Sequence, residues 1–327
     1  MKHVSVLVPN SPCILSSVIG AFKVFTTVNM TLERQGKKPF FNIKLVGLSK
    51  ETSLYDGLFL VRPEALIGEI SKTDLIVIPA FNGDIGSCLK LNMDYIPWIT
   101  EQYKQGAEVA SLCTGAFLLA STGLLKGKKC STHWIAADAF RQAFPEVKLQ
   151  PEKIITDELG MYSSGGAYSF LNLMIYLVEK YCGREMAVYC SKMLEIEIER
   201  KSQSPFAIFT GQKTHEDEPI KKAQLFMENN VNSKVSVDQL SEMFSISRRN
   251  FERRFKKATS NTPVEYLQRV KIEAAKKSLE SSRENVNEVM YSVGYSDSKA
   301  FRTMFKKITG LSPVSYRNKY NREMAVK

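Results

Sequence analysis

The stretch FKKATSNTPVEY at positions 255–266 returns at 305–316 as FKKITGLSPVSY. Seven of the twelve positions are identical, among them Phe255/Phe305, Pro263/Pro313 and Tyr266/Tyr316. Thr262/Ser312 exchanges one hydroxyl for another. Two copies are too few for a stacked solenoid, whose repeats bury a core only against several neighbours. The repeat therefore marks one structural unit used twice.

Outward from the first copy, Val237, Leu240 and Phe244 recur at helical spacing behind Ser236, a residue type that caps helix N-termini. A polar turn near Ser245–Ser247 leads to a second helix. There Phe251, Phe255 and Ala258 share one apolar face. At 100° per residue, Arg249, Glu252, Arg253 and Lys256 fall on the opposite face. In the second copy Val286 and Val289 take the places of Val237 and Leu240, and the turn carries Gly294. Phe301, Phe305 and Ile308 face inward, while Ser298, Lys299, Arg302, Thr303 and Lys306 spread over the outer half.

Each copy is thus a helix-turn-helix unit that turns a basic helix outward. Between the copies, Thr262-Pro263-Val264-Glu265 reads as an N-cap, a proline at the first helical position and a capping-box glutamate. It predicts a long helix from Pro263 to about Glu280, with Ala274, Ala275 and Leu279 toward the core. A rigid helix between two such units would fix the spacing of the outer helices. Successive major-groove faces of B-DNA lie about 34 Å apart and call for such a spacer.

Charge follows the repeat. Residues 1–219 hold 23 Lys and Arg against 23 Asp and Glu, whereas residues 220–327 hold 22 against 11. The whole excess of +11 lies in the last third. A basic surface can be mere solvation, but a compact region carrying all the charge points to a polyanion. The stretches VDQLSEMFSISRRNFERRFKK, TPVEYLQRVKIEAAKKSLE and VNEVMYSVGYSDSKAFRTMFKKITGLSPVSYR resemble the DNA-binding domain of AraC/XylS-type transcription regulators. The resemblance covers residues 220–320 and implies double-stranded DNA as partner. The expected contacts are Arg248, Arg249, Glu252, Arg253, Lys256, Ser298, Lys299, Arg302, Thr303 and Lys306. Two positions depart from the family pattern. Ser241 stands where alanine is common, and Thr303 where arginine is.

Residues 1–200 alternate between short β-branched runs and helical stretches. Val4–Val8, Ile43–Val46, Leu75–Ile78 and Val109–Ser111 read as buried parallel strands. Ile14–Val28 and Ile85–Gln105 read as helices. An α/β layered domain follows. The richest chemistry lies in EVASLCTGAFLLASTGLL, where a strand ends at Ser111, Cys113 sits on a tight turn and an apolar helix follows. This is a nucleophile elbow with cysteine in place of serine. The helix N-terminus favours thiolate. His133 lies twenty residues on. Cys113 could equally be an inert buried thiol and His133 a packing residue.

The segments SLCTGAFLLASTGLL, THWIAADAF and SSGGAYSFLNL resemble the PfpI-like branch of the class I glutamine amidotransferase superfamily. The whole chain is similar to the GlxA-like regulators, which join that domain to an AraC-type reader. The implied fold is a flavodoxin-like parallel-sheet sandwich followed by an all-α domain with two helix-turn-helix units. Enzymes of that superfamily carry an acidic residue after the first strand, but here no Asp or Glu precedes Glu33. Ser17 and Lys23 fall where relatives place acids, and Thr114, not histidine, follows the cysteine. Cys113 and His133 are then vestigial catalytic residues, and no catalysis is expected. Cys113, Thr114, His133 and Trp134 are expected to bind a small effector, with the indole as an aromatic wall. The resemblance implies a small nitrogen-containing metabolite.

The domain reading is 1–200 for sensing, 201–219 for a flexible linker and 220–327 for DNA binding. The HEDE run at 215–218 reads as solvated surface. None of the six cysteines forms a Cys-x-x-Cys pair, and with three histidines no zinc-like spacing exists. No metal or cofactor is expected, and the thiols should be reduced. Apolar runs such as LIVIPAF at 75–81 fall short of the roughly 20 residues of a membrane helix. The expected location is the cytoplasm, with no membrane partner. A homodimer stays open, as do a cysteine-dependent hydrolase or glyoxalase-like enzyme and a redox sensor acting through Cys113.

Overall fold

A computed structural model describes residues 1–198, 200 and 202–321. The chain divides into two compact units, Met1–Gln203 and Ser204–Lys327.

In the first unit the strands are, in chain order, β1 (Lys2–Val8), β2 (Phe41–Gly47), β3 (Thr52–Leu54), β4 (Phe59–Val61), β5 (Ala65–Leu66) and β6 (Leu75–Ile78). They continue as β7 (Glu108–Ser111), β8 (Lys129–Cys130), β9 (Lys148–Leu149), β10 (Ile155–Glu158) and β11 (Met161–Ser164). Seven of them form one sheet in the order β10-β11-β7-β6-β1-β2-β5. Every pairing in it is parallel except β10 with β11. The buried runs of β1, β6 and β7 occupy the centre, as near-continuous apolar strands do when helices cover both faces.

Helices α1 (Leu15–Arg34), α6 (Phe170–Cys182) and α7 (Arg184–Met193) pack on one face, around Val4, Val6, Leu75 and Val77. Helices α2 (Ile85–Leu91), α3 (Tyr95–Lys104), α4 (Ala116–Ser121) and α5 (Ala137–Ala143) cover the other, around Leu7, Ile76, Ile78 and Val109. The result is a parallel-dominated α/β sandwich. Its helix α1 is long and apolar enough to cross a membrane by length and composition alone. Here Val18, Ala21, Val24, Phe25 and Val28 of that helix lie in the core.

Two sequence expectations change in this unit. The helix expected over Ile85–Gln105 is broken into α2 and α3 around Asn92. Asn92 is fully buried, accepts from the Asn10 backbone and donates to Ser11 and Cys88. Satisfying that buried amide stops the helix, because an unpaired one would cost about 1–3 kcal/mol. Strands β10 and β11 escaped the reading because ITDE and MYSS carry no apolar run.

The second unit is helical: α8 (Glu218–Asn229), α9 (Val237–Met243), α10 (Arg248–Thr259), α11 (Pro263–Ser281), α12 (Val286–Ser292), α13 (Ser298–Thr309) and α14 (Pro313–Tyr320). Ser236 caps α9 by accepting from Gln239, and Thr262 and Glu265 form a reciprocal capping box at α11. The turn before α10 puts Ser245 in the left-handed region at φ 52°, where the second copy has Gly294. Both α10 and α13 end on a left-handed residue, Ser260 and Gly310.

The two copies share one aromatic clamp. Phe255 meets Tyr266 edge-on at 5.3 Å, and Phe305 meets Tyr316 edge-on at 5.4 Å. Phe251 and Phe301 back these contacts at 5.7 and 5.8 Å. Each tyrosine hydroxyl then reaches a glutamate, Tyr266 to Glu228 and Tyr316 to Glu280.

The run read as linker and solvated surface is structured where it meets this unit. Pro205 accepts from the Tyr320 hydroxyl, Ala207 from Lys276, and the Phe209 backbone donates to Glu273. Nor is HEDE mere solvated surface. Asp217 caps α8 and pairs with Arg254 at 2.6 Å, and His215 bonds Gln224. The Arg254 guanidinium holds the Asp217 carboxyl below the usual carboxylate range.

Removing a clamp ring opens a large cavity, so Phe255→Ala and Phe305→Ala should each cost about 3–5 kcal/mol. Thr262→Ala, which removes only a cap, should cost about 1 kcal/mol. Urea unfolding of the full chain measures both, and equal losses would mean that the aromatic clamp does not hold the units.

Candidate functional site

The outer faces of α10 and α13 are the candidate nucleic-acid interface. Phe251, Phe255 and Thr259 on α10 are buried, as are Phe301, Phe305 and Thr309 on α13. The opposite faces expose Arg249, Arg253 and Lys256 on α10, and Lys299, Arg302, Thr303 and Lys306 on α13, while Arg248 is exposed at the first position of α10. Glu252 and Ser298 are half-buried beside them. Arg249, Glu252, Arg253 and Lys256 line a groove together with Lys257, Thr262, Pro263 and Val264. Lys257 and the first turn of α11 were missed in the sequence. A helix wheel shows one helix's faces, whereas this groove is closed by the next helix.

Several of these side chains are oriented by neighbours. Arg253 donates to Asn250 at 2.8 Å and Arg302 to Ser298 at 3.2 Å. Arg248 pairs with Asp238 at 2.9 Å and Glu252 at 3.3 Å. Such solvent-exposed pairs contribute about 0–1 kcal/mol, so a phosphate can displace them. Ser241, where the family favours alanine, is buried and spends its hydroxyl on the Asp238 carbonyl.

The second site lies at the carboxyl ends of β7 and β11. Cys113 follows β7 with φ at +53°, a left-handed conformation that costs a non-glycine residue energy. Gly115 permits the turn because a Cβ there would lie 2.5 and 2.6 Å from the Pro79 and Ile78 carbonyls. The Cys113 backbone N–H donates to Ser164, its carbonyl accepts from the Thr132 hydroxyl, and Thr114 bonds the Phe81 carbonyl. Ala167, also left-handed at φ +49°, brings its backbone to bear on the Cys113 thiol.

Cys113 is 6% exposed, and burial pushes its thiol above the ordinary range. The backbone of Ala167 and Thr114 opposes that shift without overcoming it. This corrects the expected thiolate. The helix after the elbow, α4, is short, and loss of solvation outweighs its dipole.

His133 caps the turn at Trp134–Ala136 by accepting from the Ile135 N–H at its Nδ1. That bond fixes the neutral tautomer with the proton on Nε2, and burial holds the imidazole below its usual pKa. Cys113 and His133 make no hydrogen bond with one another among the described residues. The indole of Trp134 lies 5.3 Å from the imidazole and is half-buried. Ser17, aligned with the superfamily's acid, is buried and bonds Ile14 and Ala80 instead. The structure gathers Cys113, Thr114 and the Thr132–His133 segment around the elbow, and adds Gly166 and Ala167 of the SSGGAYSFLNL run, which were not among the expected site residues.

Helix-turn-helix pairs beside a cysteine elbow on an α/β sandwich define a DNA-binding transcription regulator with a second, α/β domain. Residues 240–319 match a helix-turn-helix domain and residues 28–180 match the DJ-1/PfpI family. The chain is 26% identical over 79% of its length to the HTH-type transcriptional regulator GbdR of Pseudomonas aeruginosa, covering 69% of that protein. It is 22% identical over 65% of its length to GlxA of Rhizobium meliloti, covering 66% of that protein. A crystal structure of an AraC family transcriptional regulator from Pseudomonas putida aligns with a TM-score of 0.51. That alignment has 18% identity and covers 59% of this chain and all of that one. The chain thus joins a domain that matches the DJ-1/PfpI family to a helix-turn-helix domain, and the relatives it is similar to over most of its length are HTH-type transcriptional regulators.

A buried thiol with no bonded base should be slow. Alkylation of Cys113 by iodoacetamide, followed by peptide mass spectrometry, should lag behind a free cysteine. Its rate should keep rising with pH beyond the ordinary thiol range. His133→Ala should leave the midpoint of that profile in place. A midpoint below the free-thiol value would show an activated nucleophile.

Proposed function

We propose that the chain binds promoter DNA through α10 and α13 under the control of a small effector sensed by the first unit. The observation that carries this reading is the duplicated clamp, which turns two basic helices outward from one compact unit. Phosphate contacts would position the protein, and Arg249, Arg253, Arg302 and Thr303 would reach base edges. The reading assigns sensing to Met1–Gln203 and DNA recognition to the unit that follows, and it places the protein in the cytoplasm with the DNA.

The sensor assignment rests on the elbow. It keeps a strained, buried, polar-lined turn, yet its thiol is not activated and its histidine is spent on a cap. Catalysis by a Cys–His pair requires an imidazole nitrogen free to accept the thiol proton. A site with the geometry of a nucleophile elbow and without that base fits binding better than turnover. Cys113, Thr114, His133 and Trp134 would contact the effector, and the indole would suit a cationic or amide-bearing metabolite. The regulators it resembles are named as HTH-type transcriptional regulators, which supports the DNA-binding half of this reading.

DNA affinity of the full chain should fall steeply with added salt as condensed counterions are released. Against a double-stranded DNA enriched from a random pool by this protein, Arg253→Ala should weaken binding by about 1–3 kcal/mol and relax selectivity at one base pair. Lys306→Ala should weaken all sequences alike and lower the salt slope by about one. A chain that enriches no sequence would end the regulator reading. Amidase, peptidase and glyoxalase assays should show no turnover that Cys113→Ser abolishes; turnover lost in that variant would return the enzyme reading.

A further inference from the structure

Gly165 and Gly166, in the SSGGAYS run, are not needed for a left-handed turn, since neither has a positive φ. Each makes room for one side chain. A Cβ on Gly166 would lie 2.2–2.7 Å from the His133 ring, and one on Gly165 would lie 2.8–3.0 Å from the carboxamide of Gln203. Gln203 is the last residue of the first unit and is 2% exposed.

Its carboxamide has both ends committed. Oε1 accepts from the Gly166 N–H at 2.9 Å, and Nε2 donates to the carbonyls of Pro151 at 2.6 Å and Thr132 at 2.8 Å. Its own backbone N–H donates to Glu152 at 3.0 Å. Gly166 precedes Ala167, whose backbone bears on the Cys113 thiol. Thr132 precedes His133 and holds the Cys113 carbonyl. One side chain therefore joins the two segments that flank the elbow.

The next residues are committed as firmly in the second unit. Pro205 and Ala207 accept from Tyr320 and Lys276, and the Phe209 ring meets Tyr266 at 5.1 Å. Lys276 and Tyr266 belong to α11, the helix that spans the two reading units. Only Ser204 separates the glutamine of the elbow from this set.

We propose that Gln203 is the positioning residue that couples the Cys113–His133 site to the DNA-reading unit, which rests on the sensor reading above. A ligand that shifts Gly166–Ala167 or Thr132–His133 deforms the carboxamide cradle. Its Nε2 is held by the carbonyls of Pro151 and Thr132 and its Oε1 by Gly166, so a shift of those segments is passed to its backbone and on to Ser204 and Pro205. By linkage, DNA must then change the effector's affinity for the elbow by the same factor, and the rearranged elbow should change the reactivity of Cys113.

The test uses the full chain, the DNA enriched from a random pool, and the rate of Cys113 alkylation by iodoacetamide. Saturating DNA should change that rate several-fold in the native chain. In Gln203→Ala the ratio should collapse to about one. Gln203→Glu keeps the shape but sets a carboxylate oxygen against two carbonyls, so it should collapse likewise; it serves should the alanine variant fail to fold. Variants that bind DNA and keep the native ratio overturn the role of Gln203 alone. A native chain that enriches DNA but whose Cys113 rate ignores it overturns the coupling through Gln203 and leaves the DNA-binding reading standing.

Discussion

The DNA-reading unit depends on one contact made twice, an edge-to-face meeting of phenylalanine and tyrosine. Phe255 with Tyr266, and Phe305 with Tyr316, lock each reading helix to the helix that follows it. The contact fixes helix rotation as well as position. An edge-to-face pair adds about 0.5–1.5 kcal/mol beyond the area it buries. Because rotation is fixed, the basic residues at the intervening positions have one direction left, outward. The tyrosines are anchored in turn by Glu228 and Glu280, so neither ring carries an unpaired buried hydroxyl.

The first unit shows an opposite use of constraint. Its elbow retains the strained backbone of a nucleophile, with Cys113 and Ala167 both left-handed. Strain of about 1–3 kcal/mol per residue persists only where surrounding structure enforces it. Here Ser164, Thr132 and Thr114 supply that enforcement through hydrogen bonds to the turn. Yet the thiol stays protonated, since burial dominates, and the imidazole serves its own cap.

The two glycines of SSGG impose a third kind of constraint, one of space. Each gives up its side chain to a neighbour distant in sequence, one to His133 and the other to Gln203. Neither requirement has a local signature. A glycine that needs positive φ announces a turn, but one that needs only space is silent until its neighbour is known.

Much was legible beforehand. The spacing of Val237, Leu240, Phe251 and Phe255 and its return at Val286, Val289, Phe301 and Phe305 determined two helix-turn-helix units, because apolar periodicity is a property of the chain itself. Cap chemistry at Ser236 and Thr262 determined where helices start, since a cap spans three residues. The β-branched runs at Val4, Leu75 and Val109 determined a buried parallel sheet. Tertiary structure decided what depends on residues far apart. It broke the helix at Asn92, whose amide reaches Asn10 and Ser11. It paired Asp217 with Arg254 where sequence suggested only solvated charge. It raised the Cys113 thiol that the adjacent helix should have lowered, because desolvation sums over every neighbour while a dipole belongs to one helix. It also brought Gln203 to Gly166, a contact across 37 positions, which only the closed sandwich could make.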